Sequence, residues 1–274
     1  MTLAPVQVTG LTKTFYDDTR GEVRAVDHID FACRAGEIFG LLGANGAGKT
    51  TTLRMLATIL KPTGGSAAVM GHDVATDSEA VRRSLGFYSS STALYPRLTG
   101  RETLEFFARI NGYPPEGIRD RVEKLIARFG LTEYANVRID KLSTGMKQKV
   151  SIARTVAHDP PVLIFDEPTV GLDVLNALEM QKVIAEFRDE GKTVIFSTHI
   201  MSEAERLCGR IAIIHRGRIH ACDTLDRLRE ATGHRYLEDI FIRFVEDAER
   251  ASGAGRQGSP QVSAPGGVHG GPAT

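Results

Sequence analysis

The stretch IFGLLGANGAGKTTTLRML, residues 38–56, decides the fold. An apolar run from Ile38 to Leu42 stops at Gly43, and apolar residues resume at Leu53, Leu56 and Leu60 with helical spacing. That order predicts a strand, a loop and a helix. The loop, GANGAGKT, matches G-x-x-x-x-G-K-[ST] in the strand-to-helix context the motif requires. Its glycines allow backbone N–H groups to converge on a phosphate. Lys49 adds a point charge for the terminal phosphates, and the Thr50 hydroxyl is suited to ligate Mg²⁺. The phosphate-binding candidates are therefore Gly43, Ala44, Asn45, Gly46, Ala47, Gly48, Lys49, Thr50 and Thr51.

Two further apolar runs end in chemistry. VLIFDEP delivers Asp166 and Glu167, and KTVIFSTH delivers His199. Both runs lack the alternation of a half-exposed strand, as expected in a parallel sheet covered on both faces. Ligands of such sheets bind outside the carboxyl ends of the strands. By itself an Asp-Glu pair after a strand reads as a turn or helix cap. Beside a P-loop, Asp166 can hold Mg²⁺ directly or through its waters, and Glu167 can polarise a water for attack on a terminal phosphate.

The remaining chain frames these elements. Ile29, Phe31 and Cys33 alternate with polar or small residues, predicting a half-buried antiparallel sheet near the N-terminus. Residues 89–159 are mostly helical in pattern, with a capping box at Thr99 and Glu102, and read as a helical insertion. Within it, LSTGMKQKV predicts a helix N-capped near Ser143, whose first N–H groups suit an anion. RIAIIHRGRIHAC reads as a hairpin turning at Arg216-Gly217. Leu237, Ile240, Phe241 and Phe244 give an amphipathic helix that packs on the core. The expected organisation is a main domain over 1–225, a helical extension over 226–249 and a disordered Gly/Pro/Ser-rich tail over 250–274.

Composition narrows the function. Thirty-four basic residues balance 34 acidic ones, so no general attraction to nucleic acid or an anionic surface is implied. No apolar run approaches membrane-spanning length and the N-terminus lacks a signal-peptide pattern, which predicts a cytoplasmic protein. Cys33, Cys208 and Cys222 show no metal-ligand spacing.

GANGAGKT, LSTGMKQKV, VLIFDEPTVGLD and His199, in this order, resemble the Walker A, signature, Walker B, D-loop and H-loop elements of ATP-binding cassette (ABC) transporter ATPases, over about Val6 to Cys222. The resemblance implies an α/β fold: a P-loop NTPase (RecA-like) core, an antiparallel β subdomain and an inserted α-helical signature subdomain. It implies ATP and Mg²⁺ as cofactors. It also implies a head-to-tail dimer, with itself or a paralogue, in which Ser143, Thr144, Gly145 and Met146 cap ATP held by the opposite P-loop. Asp173 would communicate between sites, His199 would contact the γ-phosphate and attacking water, and Phe15 would stack on adenine. The adjacent Tyr16 is the alternative for that last role, and an ordinary core aromatic is another reading of Phe15.

Two segments depart from the family pattern. The signature reads LSTGM where LSGGQ is usual, and Ser90 stands where relatives carry a glutamine that reaches Mg²⁺. Serine is too short for that role without a bridging water. The loop around Ser90, Tyr95 and Leu98 is nonetheless expected to face a membrane subunit. LSTGMKQKV, the serine-containing loop and RGEVRAVDHIDF ahead of the P-loop together resemble the sodium-exporter and multidrug branch of ABC-2 type transporters. This resemblance implies an ATPase that powers export through a separate integral membrane permease, held at the inner face of the membrane and needing no nucleic acid. The alternatives are a soluble ABC ATPase acting on ribosomes or nucleic acid, and a P-loop kinase, which leaves LSTGM without a task.

Overall fold

The computed structural model describes residues 4–254, apart from 20 and 91. In chain order, β1 (Val6–Asp17) and β2 (Gly21–Cys33) form a hairpin, and β3 (Ile38–Leu42) leads through the P-loop into α1 (Lys49–Leu56). β4 (Gly64–Val69), β5 (His72–Asp73), α2 (Ser78–Ser84) and β6 (Leu85–Ser89) follow. The helical segment holds α3 (Gly100–Ile110), α4 (Ile118–Arg128) and α5 (Thr144–Thr155). β7 (Val162–Asp166), α6 (Val174–Asp189), β8 (Thr193–Thr198), α7 (Met201–Leu207), β9 (Arg210–His215), β10 (Arg218–Asp223), α8 (Leu225–Thr232) and α9 (Leu237–Ala254) complete the chain.

Two sheets result. One is antiparallel with order β2-β1-β4-β5, and the other has order β10-β9-β3-β8-β7-β6. In the second sheet β6, β7, β8, β3 and β9 run parallel and only the β9–β10 hairpin is antiparallel. Every residue of β3, β7 and β8 is buried, which explains the apolar runs IFGLL, VLIF and VIF within them. The register matters most for function. Ser89 lies opposite Asp166, Asp166 opposite Ser197, and Leu42 opposite Thr198, so four strand ends meet at one edge.

Each face of this sheet has its own packing. Phe31 stacks on Phe39 at 5.1 Å between the two sheets, with Leu53 and Leu56 of α1 in the same apolar layer. On the opposite face Phe165 stacks on Phe187 of α6 at 6.2 Å, beside Val150 and Ala153 of α5. A third cluster joins Leu42, Ile211 and Ile213 to Leu237 and Ile240 of α9. Full burial of such side chains contributes about 1.5–3 kcal/mol each.

Helix ends differ from the periodicity in three places. α1 stops at Leu56, short of Leu60, because Thr58 adopts a left-handed φ of 60° and reverses the chain. α5 stops at Thr155, before Ala157, ahead of a left-handed Asp159 (φ 58°). α9 continues to Ala254, so the expected boundary of structure at Arg250 is corrected. Arg250 pairs with Glu246 one turn back, at 3.1 Å. Residues 255–274 of the expected disordered tail lie outside the described residues.

Candidate active site

The P-loop leaves β3 where the sheet edge is most crowded. A Cβ on Gly43 would stand 2.3 Å from the Ile214 carbonyl, and one on Gly48 would stand 2.5 Å from the Ala25 carbonyl. Gly48 also has a φ of 107°, so both positions exclude a side chain. The loop is fastened from behind by the Gly217 N–H, which donates to the Ala47 carbonyl at 2.9 Å. That glycine belongs to the Arg216-Gly217 turn, both of whose residues have positive φ.

Lys49, the first residue of α1, is 4% exposed. Its ammonium donates to the carbonyls of Gly43 at 2.7 Å and Ala44 at 3.1 Å, and lies 3.0 Å from Glu167 Oε1. Opposite charge and loop carbonyls thus satisfy a cation that burial would otherwise penalise.

The two carboxylates are held differently. Asp166 Oδ1 accepts from the Thr50 hydroxyl at 3.1 Å and from the Ser197 hydroxyl at 2.8 Å. Burial pushes the Asp166 carboxyl above its ordinary range; those two hydrogen bonds act against the shift and neighbouring Glu167 acts with it. Glu167 has a φ of 48°, a left-handed backbone that costs a non-glycine residue about 1–2 kcal/mol. Its N–H donates to the Ser197 carbonyl at 3.2 Å and to Ser197 Oγ at 3.0 Å. His199 Nδ1 stands 3.5 Å from Glu167 Oε1, near the carboxylate but beyond good hydrogen-bond length.

Behind His199 lies a buried polar chain that the sequence did not single out. The Thr198 hydroxyl donates to Glu203 Oε2 at 2.7 Å, and Gln181 Nε2 donates to Glu203 Oε1 at 3.2 Å. The Ile200 N–H donates to Thr198 Oγ1, closing the turn that carries His199. The available signal was the Ser-Thr pair immediately before His199, two hydroxyls at the end of an otherwise apolar strand.

The signature segment is elsewhere. Ser143 N-caps α5, accepting from the Met146 N–H at 3.3 Å, and Ser143, Thr144 and Gly145 are exposed while Met146 is half-buried. No neighbouring atom lies within 4 Å of a Cβ built on Gly145. Asp173 N-caps α6 through the Asn176 N–H, a bond that holds its carboxyl below the usual range. Val174 and Leu175 follow it 75% and 79% exposed, an apolar pair at the front of a helix.

The other candidates separate. Ser90 is exposed and lines a cleft of about 560 Å³ with Ser89, Lys147, Gln148 and Gly171. Tyr95 opens instead on a second groove, with Ile59, Phe87 and Phe107. Leu98 is half-buried; its N–H donates to Tyr95 and its carbonyl accepts from Ile139. Phe15 is 39% exposed on β1, with the Lys13 ammonium 5.1 Å from its ring centre, and Tyr16 is 85% exposed beside it.

A known family model, ABC transporter, matches residues 26–170, the part of the chain that holds the P-loop, the strand-end carboxylates and the outward-facing helix cap. The chain belongs to the ABC transporter family. It is 39% identical to the ABC transporter ATP-binding protein NatA of Bacillus subtilis (strain 168), over 83% of this chain and 93% of that protein. A solved ATP-binding subunit of an ABC transporter aligns with a TM-score of 0.78 and 30% identity, covering 88% of this chain and 99% of the other. A dimeric ATP-binding cassette in a post-hydrolysis state, bound to ADP and Pi, aligns with a TM-score of 0.72 and 26% identity, over 80% and 98% of the two chains. As an ABC ATP-binding subunit, the chain is an ATPase.

Proposed function

We propose that this ABC subunit drives export through a separate integral membrane permease, working as a Mg²⁺-dependent dimer whose two ATP sites lie between subunits. The observation that carries this reading is the split between its two phosphate-binding ends. Lys49, Asp166, Glu167 and His199 gather at the P-loop edge, whereas the N-terminus of α5, with Ser143 and Gly145, faces outward. An exposed helix N-terminus with a hydroxyl cap offers unpaired N–H groups to an anion, and the ATP of a second copy supplies one.

In this reading the N–H groups of residues 43–51 cradle the phosphates and Phe15 stacks on adenine. The hydroxyl of Thr50 and the carboxylate of Asp166 are hard oxygen donors beside a phosphate cradle, a set that suits Mg²⁺. Held by these two residues, Mg²⁺ would supply neutralisation of phosphate charge. Glu167 takes the proton of the attacking water, and Lys49 leaves its contact with Glu167 to meet the phosphates. His199 holds the γ-phosphate and water from the adjoining strand end. Ser143, Thr144, Gly145 and Met146 close the site from the opposite subunit. Asp173, Val174 and Leu175 form part of the face that subunit meets, consistent with the exposure of the last two.

The permease end is assigned to the groove of about 280 Å³ lined by Ile59, Phe87, Tyr95, Phe107 and Arg154. Tyr95 stacks edge-on against Phe106 at 6.2 Å, and both are more than 40% exposed. An apolar groove with an aromatic rim fits a short apolar segment of a membrane protein. Binding there places this chain at the inner face of the membrane without a spanning helix of its own, and among the described residues no helix is long and apolar enough to cross one.

The test is recovery of the tagged protein from native membranes, with partners identified by mass spectrometry. The wild type is expected to bring down one integral membrane protein. Tyr95→Asp is expected to lose it while still binding ATP. Recovery with ribosomes instead contradicts the reading.

A further inference from the structure

The Ser197 hydroxyl of the described site both donates and accepts, and nothing in its motif context assigns it a task. It is 0% exposed, at the end of β8, directly opposite Asp166 of β7. Its Oγ–H donates to Asp166 Oδ1 at 2.8 Å, and the same oxygen accepts the Glu167 N–H at 3.0 Å. Its carbonyl is a second acceptor for that N–H, at 3.2 Å.

We propose that Ser197 is a positioning residue for hydrolysis, one hydroxyl that sets both the metal-facing oxygen of Asp166 and the backbone of Glu167. The inference rests on the roles proposed above for those two carboxylates.

The argument for Asp166 is one of lone pairs. Oδ1 receives two hydroxyl protons, from Ser197 and Thr50, which uses its accepting capacity and leaves Oδ2 to face Mg²⁺ or its waters. Removing the Ser197 hydroxyl frees the carboxylate to rotate about its terminal torsion, which is broad and weakly restrained. The argument for Glu167 is one of backbone strain. A φ of 48° persists only where surroundings over-determine it, and the bifurcated bond to Ser197 supplies that determination. The conformation points the Glu167 carboxylate at Lys49 and His199 rather than along the strand. A shift of an ångström at a general base is enough to slow the step it serves by a large factor.

The experiment compares Ser197→Ala and Ser197→Thr with wild type and with Glu167→Gln. Three quantities are read on purified, folded protein: kcat, the affinity for a fluorescent ATP analogue without Mg²⁺, and the Mg²⁺ concentration giving half-maximal tightening of that analogue. Ser197→Ala should lower kcat about tenfold or more, the range expected for one lost hydrogen bond to a charged group. It should raise the Mg²⁺ midpoint several-fold and leave metal-free binding unchanged. Ser197→Thr, which keeps the hydroxyl, should recover most of both effects. A Ser197→Ala protein that melts earlier but has wild-type kcat and Mg²⁺ midpoint overturns the proposal, since the hydroxyl is then only structural. A folded Ser197→Thr protein as slow as Ser197→Ala overturns it as well. Normal turnover by Glu167→Gln would instead remove the underlying role of Glu167, a failure distinguishable from a failure of Ser197 alone.

Discussion

The Lys49 ammonium lies 3.0 Å from the Glu167 carboxylate, so the charge proposed to serve the phosphates and the carboxylate proposed as base neutralise one another. The carbonyls of Gly43 and Ala44 hold the same ammonium.

Lys49→Ala should therefore weaken ATP binding and abolish turnover, because no other cation of the described P-loop reaches the terminal phosphates. Removing a preorganised charge of this kind costs about 10²-fold or more in rate. Steady-state ATPase measurements and nucleotide titration give both numbers, and near-normal hydrolysis would remove the P-loop assignment.

Asp166→Asn should separate stability from activity. Burial raises the Asp166 pKa, so the folded chain binds that proton more readily than the unfolded chain and stability falls as pH rises through the interval between the two values. Asparagine keeps an acceptor for Thr50 and Ser197 without the buried charge. The variant should be inactive with Mg²⁺, yet melt a few degrees higher than wild type near pH 7, equivalent to about 1 kcal/mol. The gap should narrow as pH falls from neutrality through the raised folded-state value toward the ordinary carboxylate range, as the wild-type carboxyl takes up its proton. A variant that melts lower at neutral pH would show that the carboxylate, not its desolvation, dominates.

The end of the chain divides at Leu237. Deleting from Arg250 removes the last turn of α9 and the ion pairs of Arg250, and should leave ATPase activity nearly intact. Deleting from Leu237 strips Leu237 and Ile240, both 0% exposed, from the cluster beneath Leu42, at a cost of about 3 kcal/mol or more. Thermal melts of the two truncations check this. Equal stability of both would place α9 outside the core.

These contrasts follow what the sequence could and could not carry. IFGLL, VLIFD and TVIFST read as strands because an uninterrupted apolar run has few alternatives, and Thr99 with Glu102 announced a helix start by local chemistry that does form. Helix ends were less legible, since left-handed Thr58 and Asp159 carry no glycine signal. The packing face of α9 at Leu237 and Ile240 was legible, but its reach past Arg250 was hidden by the Gly- and Ser-containing composition there. Asp166, Glu167 and His199 were visible as strand-end residues. Ser197 was not, because its two bonds depend on the β7–β8 register, which sets residues 31 positions apart side by side. Val174 and Leu175 were also missed, as apolar residues at a helix start read as core until their exposure is known.

The most direct test of the composite-site account is the mass of Glu167→Gln in solution with ATP and Mg²⁺. The substitution keeps the side chain's size but removes the basic carboxylate, so hydrolysis should slow by a factor of roughly 10² to 10⁴ while ATP still binds. Unhydrolysed ATP should then hold the P-loop of one subunit against the Ser143 helix of another. Light scattering should show a monomer without nucleotide and a dimer with saturating MgATP, and Ser143→Arg in the same background should return it to monomer. A Glu167→Gln protein that binds ATP, does not hydrolyse it and stays monomeric at high concentration would contradict the account.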